Sequence, residues 1–198
     1  MRRLLVSVAL FFAATVTAAG DPLFDAVSEG NAMAVERSLA AGANVDSRTR
    51  DQATPLINAA LGDQLAIVDL LISKHADVMA RNAGGFTALH AAAYSGSIPI
   101  SKLLLDHGAV LDDASNKAGV TPLMIAGEEN HVALAEFLLA KGADAEHAES
   151  HGYTPIARAI WKGNVDIVRL YKRHGVACPP VSVLRVEEFY KKCMEIHD

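Results

Sequence analysis

The 198-residue chain sets 18 Lys and Arg against 23 Asp and Glu, a net charge of −5. That sign is a poor match for the polyanionic backbone of nucleic acid. Loss of Arg2 and Arg3 with an N-terminal leader would leave 16 basic against 23 acidic residues, a net −7, which favours a cationic protein surface as partner but otherwise speaks mainly to solubility.

Arg2 and Arg3 precede an apolar run from Leu4 to Val16, and Thr17-Ala18-Ala19-Gly20 follows with side chains small enough for signal peptidase. The run is shorter than the roughly 20 apolar residues that span a bilayer, so it reads as a secretory signal peptide over 1–20; a buried N-terminal helix is the alternative. The expected destination is the periplasm, or else the exterior, with no membrane insertion after cleavage.

From Asp21 onward the chain repeats itself. Thr-(Pro/Ala)-(Leu/Ile) recurs at Thr54, Thr87, Thr121 and Thr154, and Asp21-Pro22-Leu23 stands in phase with them. Thr or Asp supplies an oxygen that caps orphan amides, and Pro at the first helical position has a suitable φ, so each landmark marks a helix start. A second landmark falls at Gly42, His75, Gly108, Gly142 and Gly175, where each unit's second helix closes. Between the two, apolar residues take helical spacing in two short runs, as in Ile67, Val68, Leu70, Leu71 and Ile72. The reading is five helical hairpins, at about 21–53, 54–86, 87–120, 121–153 and 154–178. A unit of this size buries its apolar face only against a neighbour, which makes the chain a stack with one long binding surface.

Small residues, Ala59 and Ala60, Ala92 and Ala93, Ala126 and Gly127, and Ala159, mark first helices where a neighbour approaches closely. Turn-rich fingers join the units, with Gly85, Gly119 and Gly152 two places before Thr and Gln52 as the exception. His75 replaces a glycine expected to be left-handed, at some cost. One extra residue lies between Gly108 and Thr121, within Val110 to Val120; a longer finger that reaches a partner and a neutral insertion are both open.

At the ends the stack needs polar caps. Arg37 and Ser38 occupy the places that Leu70 and Leu71 hold one unit later, which makes the outer face wettable. After Pro179-Pro180, one helix is expected over Val183 to Ile196, its apolar face formed by Val186, Phe189, Tyr190, Cys193 and Met194, as a cap at 179–198. Cys178 and Cys193 flank the turn, and in a disulfide-permitting compartment they are expected to be bonded, with a reactive or metal-binding thiol pair as the alternative. Closing a loop of about 15 residues stabilises by roughly 3 kcal/mol in the chain-entropy model.

These residues resemble the ankyrin repeat, most closely from Gly85 to His90, Gly119 to Leu123, Leu138 to Asp144 and Gly152 to Ile156. The resemblance covers roughly 21–176. It implies an all-α repeat solenoid of five ankyrin repeats, helix pairs with β-hairpin fingers, plus the C-terminal capping helix. It also implies that partners bind at the fingers and at the first helix seven and eight places after each Thr. The positions so selected are Arg48, Arg50, Asp51, Leu61, Arg81, Phe86, Tyr94, Glu128, Glu129, His151, Tyr153, Trp161 and Lys162. Of the chain's six Phe, four Tyr and one Trp, only Phe11 and Phe12 lie in the leader. Four of the others, Phe86, Tyr94, Tyr153 and Trp161, fall among these positions; they are either interface hot spots or rings that stack on neighbouring fingers. The Glu128-Glu129 pair between them suggests a site for a cationic or polar element.

No HExxH, phosphate-binding loop, dinucleotide fingerprint or GxSxG occurs. His147 and His151 lie on a finger without a third ligand, and the same resemblance implies that His90 makes structural hydrogen bonds. No catalytic residue, cofactor or metal is assigned. The expected function is non-enzymatic binding of another protein, an envelope enzyme, as an inhibitor or self-protection factor against an envelope hydrolase or toxin. A periplasmic scaffold or accessory factor, for instance in oxidative-stress defence, and a secreted effector that binds host proteins are the alternatives. The chain would be a monomer, alone or in complex with its partner.

Overall fold

A computed structural model describes residues 20–196. The leader expected at 1–20 lies outside the described residues apart from Gly20. All regular structure among the described residues is helical, and no helix among them is long and apolar enough to cross a membrane. The chain forms two compact units that divide between Ala109 and Val110.

The first unit holds three helical hairpins: α1 (Pro22–Ser28) with α2 (Ala32–Ala40), α3 (Pro55–Leu61) with α4 (Leu65–Ser73), and α5 (Ala88–Ser95) with α6 (Ile98–Asp106). First helices pack in series, α1 on α3 and α3 on α5, while the second helices form a parallel row. Ala59, Ala60, Ala91, Ala92 and Ala93 are fully buried, so α3 and α5 approach with little more than methyl groups between them. Leu56, Ile57, Ile67, Leu71, Leu89, Ile100 and Leu104 fill the space between helix rows. α2 is the polar end expected for a terminal repeat, because Val35 is its one buried side chain and Arg37 is exposed.

Each hairpin starts on its landmark. The Asp21 carboxylate accepts from Leu23 N–H at 2.9 Å, and the Thr54 hydroxyl from Ile57 N–H at 3.3 Å. Thr87 and His90 share a capping box, with His90 Nδ1 3.2 Å from Thr87 N and 2.9 Å from its hydroxyl. His75 stands at φ +64°, the conformation taken by Gly42 and Gly108 at φ +97° and +93°. Gln52, at φ +59°, likewise follows the glycines whose place it fills.

The second unit holds α7 (Pro122–Glu128) with α8 (Val132–Ala140) and α9 (Pro155–Lys162) with α10 (Val165–Arg173), then α11 (Val181–Leu184) and α12 (Glu187–Glu195). Tyr171 is fully buried, and its hydroxyl donates to Leu123 O at 3.3 Å. A Cβ on Gly127 would lie 2.6 Å from that hydroxyl, which is why α7 ends its small-residue pair in glycine. Thr121 caps α7 through Met124 N–H at 3.3 Å, whereas Thr154 makes no side-chain cap bond to α9. The extra residue is absorbed at Asp113 to Ser115, where the buried Asp113 carboxylate accepts from Ser115 N–H at 3.0 Å.

Two expectations about local form need correction. The fingers carry no strand among the described residues: those at Thr49, Asn82 and Glu149 close through a turn and a cross-finger backbone bond, such as Thr49 N–H to Ala53 O at 3.0 Å, too short for a ladder. The C-terminal cap is two helices and not one, because Arg185 adopts φ +58° and ends α11 before Val186 opens α12. That break turns Val186 and Met194 outward, 41% and 51% exposed, and leaves Cys193 as the buried residue of α12. Cys178 and Cys193 are joined as a disulfide with Cα atoms 6.0 Å apart. Both α11 and α12 pack on α9.

Candidate functional site

In the first unit the finger side chains divide between scaffold and solvent. Arg48 Nη1 donates to Gln52 O at 3.0 Å in its own finger and to Arg81 O at 2.7 Å in the next. Arg81 Nη1 donates to Gly85 O at 3.0 Å. These two arginines therefore brace the fingers, and Ala83 N–H to Asp51 O at 2.7 Å adds a backbone tie. Arg50 and Asp51 project from the tip, exposed. At the ends of the first helices Leu61 and Tyr94 are half-buried. Phe86 does not reach this surface. It is 1% exposed, with its ring set edge-on to His90 at 5.3 Å, because the backbone turns inward to enter the helix at Thr87.

In the second unit the expected acidic pair is split. The Glu128 side chain is fully buried and ion-paired to Arg158, with Nε at 3.2 Å, and to Lys162 Nζ at 2.9 Å. A carboxylate with no solvent access and two cationic partners is not open to a third, so Glu128 is a core ion pair and not a contact for a cationic ligand. Lys162 spends its ammonium on the same carboxylate. Glu129 remains half-buried, and its carboxyl is pushed above the usual range by partial desolvation and by Glu128 beside it, against the opposing pull of Lys162 and His131.

The finger before Thr154 is stiffened by Glu149. Burial would raise its carboxyl, but a hydrogen bond from His151 at 3.0 Å and the backbone N–H groups of His151 and Tyr153 outweigh this and hold it below the usual range. His147 Nε2 lies 2.9 Å from Gly119 O, so this histidine ties one finger to the next. Among the described residues no three His, Cys, Asp or Glu side chains are grouped as metal ligands.

The aromatic residues form a row. His151 stacks on Tyr153 at 6.4 Å, Tyr153 meets Trp161 at 4.8 Å, and Trp161 meets Phe189 of α12 at 6.3 Å. The Arg185 guanidinium sits 5.9 Å from the Tyr153 ring centroid. Tyr153 and Trp161 are thus half-buried beneath the C-terminal cap, while His151 is exposed at the finger tip.

Thr49, Asn82, Asn116 and Glu149 share the period, each five places before a Thr landmark. All are buried, and each side chain accepts from the N–H four residues on, at 3.1, 3.0, 2.9 and 3.3 Å. Aligning the units on Thr and asking for a polar residue throughout would have found them.

A family model described as ankyrin repeats (3 copies) matches residues 23–115 and 110–177. The ankyrin repeat and KH domain-containing protein mask-1 of Caenorhabditis elegans is 31% identical over 179 residues, 86% of this chain and 7% of that protein. A putative ankyrin repeat protein of Acanthamoeba polyphaga mimivirus is 28% identical over 86% of this chain and 22% of its own length. SH3 and multiple ankyrin repeat domains protein 2 of Homo sapiens is 30% identical over 77% of this chain and 8% of its own. The chain spans less than a quarter of each of these relatives.

Proposed function

The chain belongs to the ankyrin-repeat family, and from that premise we propose that it acts by holding another protein, in the cell envelope, as an antagonist of an envelope enzyme. Binding of proteins is what ankyrin repeats typically do. The observation that carries this reading is the contrast between a uniform scaffold and varied tips. Positions used for capping and bracing repeat their chemistry from hairpin to hairpin, whereas those turned outward do not: Arg50 and Asp51 on one finger, Ser150 and His151 on another, Leu61 and Tyr94 on first helices. Side chains that differ at equivalent places suit recognition of a particular partner, and fingers that project from the helices can cover a cleft.

The envelope location draws on the leader-like segment and on the Cys178–Cys193 bridge, a bond that persists in oxidising compartments. The test is capture from a periplasmic extract with the full chain as bait, compared with Tyr94→Ala and Arg50→Ala variants whose helical circular dichroism is intact. A captured enzyme inhibited by the bait, with weaker capture by either variant, is the expected result. Capture without inhibition supports an accessory or scaffold role instead, and equal capture by both variants removes the proposed surface.

A further inference from the structure

We propose that the Cys178–Cys193 disulfide is a redox latch that holds α12 over Trp161, which itself packs on Tyr153, so that reduction uncovers an aromatic surface. This inference deepens the reading of Tyr153 and Trp161 as part of the binding face. It rests on how little else holds α12 in place. Cys193 is its one buried side chain; Phe189 and Tyr190 are half-buried and the rest are exposed. The ion pairs Lys191–Glu187 at 2.9 Å and Lys192–Glu188 at 2.8 Å lie within the helix and tie it to nothing else. Lys172 Nζ donates to Cys193 O at 3.2 Å and to Ile196 O at the helix end. A nine-residue helix is marginal by itself, so its docking depends on the bridge, its packing on α11, the Phe189–Trp161 contact and this one lysine.

What α12 covers is a surface with its own reason to be filled. Trp161 lies in the last turn of α9, at 4.8 Å from Tyr153, and its indole N–H is buried without a hydrogen-bond partner. In the folded chain that donor is closed off from solvent, and the Phe189 ring of α12 lies against the same indole. Once α12 leaves, the indole and the Tyr153 ring, tilted 49° to each other, present an aromatic notch with the indole donor at hand, suited to an aliphatic side chain beside a carbonyl, as in an extended peptide.

The chemistry is thiol–disulfide exchange with a dithiol reductant. Its thiolate attacks the sulfur of Cys178, the half-buried partner, and the Cys193 sulfur leaves and takes up a proton. The second thiol of the reductant then resolves the mixed disulfide, releasing Cys178 as a thiol and the reductant as its own disulfide; two electrons and two protons pass to the protein. Opening a loop of this length raises the fraction of uncovered molecules on the order of 100-fold.

Trp161 is the only tryptophan in the chain, so its emission reports the cap directly. The full protein is compared oxidised, reduced with dithiothreitol, and as the Cys178→Ser/Cys193→Ser double variant, by emission, acrylamide quenching and binding of the apolar dye ANS. Reduction should shift emission to longer wavelength and raise quenching and dye binding. The double variant should behave as the reduced protein and ignore dithiothreitol, and Phe189→Ala should shift the emission of the oxidised protein. Unchanged emission while two thiols titrate would overturn the latch, and so would a loss of helical signal larger than α11 and α12 can account for. None of these readouts contains a partner, so failed capture from an extract leaves the latch standing, and a failed latch leaves capture through Tyr94 and Arg50 standing.

Discussion

Glu128 shows how one residue can look like a ligand contact and act as a brace. Its place, seven after Thr121, is occupied in the other repeats that begin on Thr by Leu61, Tyr94 and Trp161, all half-buried. What differs is Arg158 on α9, which enters from the next repeat and closes on the carboxylate. Periodicity reveals that two positions are equivalent; it does not reveal which side chain thirty residues on will reach one of them. Removing a single member of a buried pair strands the other charges, at about 3–5 kcal/mol. Arg158 is 8% exposed and cannot recover water, whereas Lys162 can swing outward. Glu128→Ala should therefore lower stability by about 3 kcal/mol in urea denaturation, and Lys162→Ala by far less. Equal effects would mean that the two cations share the carboxylate evenly and that Arg158 is not the trapped charge.

At the level of the hairpin, the sequence landmarks carried most of the information because each has a local cause. Thr54 and Thr121 begin their helices through their own hydroxyls, and a residue in the left-handed region ends one; both act within four residues and need no knowledge of neighbours. The break at Arg185 was not legible for the complementary reason: Val186 to Met194 keeps helical spacing, and only docking on α9 decides where the chain bends. Phe86 was misplaced in the same way, since an aromatic before Thr points inward or outward according to what the neighbouring finger leaves open. His75 offers a clean test of local cause. It is exposed and stands at φ +64°, with Gly42, Gly108, Gly142 and Gly175 at the same place in other repeats. A non-glycine residue in this region costs roughly 1 kcal/mol, so His75→Gly should raise the thermal midpoint, less the entropy that glycine adds to the unfolded chain. A lowered midpoint would show that the imidazole makes a compensating contact.

For the whole molecule, what matters is that a repeat protein adds its stability from neighbour to neighbour, with no single core through which damage spreads. α3 packs on α1, α4 and α5, and α9 packs on α7, α10, α11 and α12. A lesion should therefore be felt by the helices it touches and fade beyond them. Hydrogen exchange on the full chain can read this amide by amide. A cost of about 3 kcal/mol from Glu128→Ala corresponds to roughly 100-fold faster exchange, and it should appear in α7 and α9 while α3 keeps its protection. Reduction of Cys178–Cys193 should instead release α11 and α12, and leave α7 and α8 unchanged. The two lesions would then give different maps on the same chain, one centred on a buried charge and the other on a tethered end. Uniform loss of protection in both experiments would mean that the described residues unfold as one cooperative body. In that case neither the braced finger surface nor the latched cap could move independently of the rest, and recognition would have to occur on a rigid face alone.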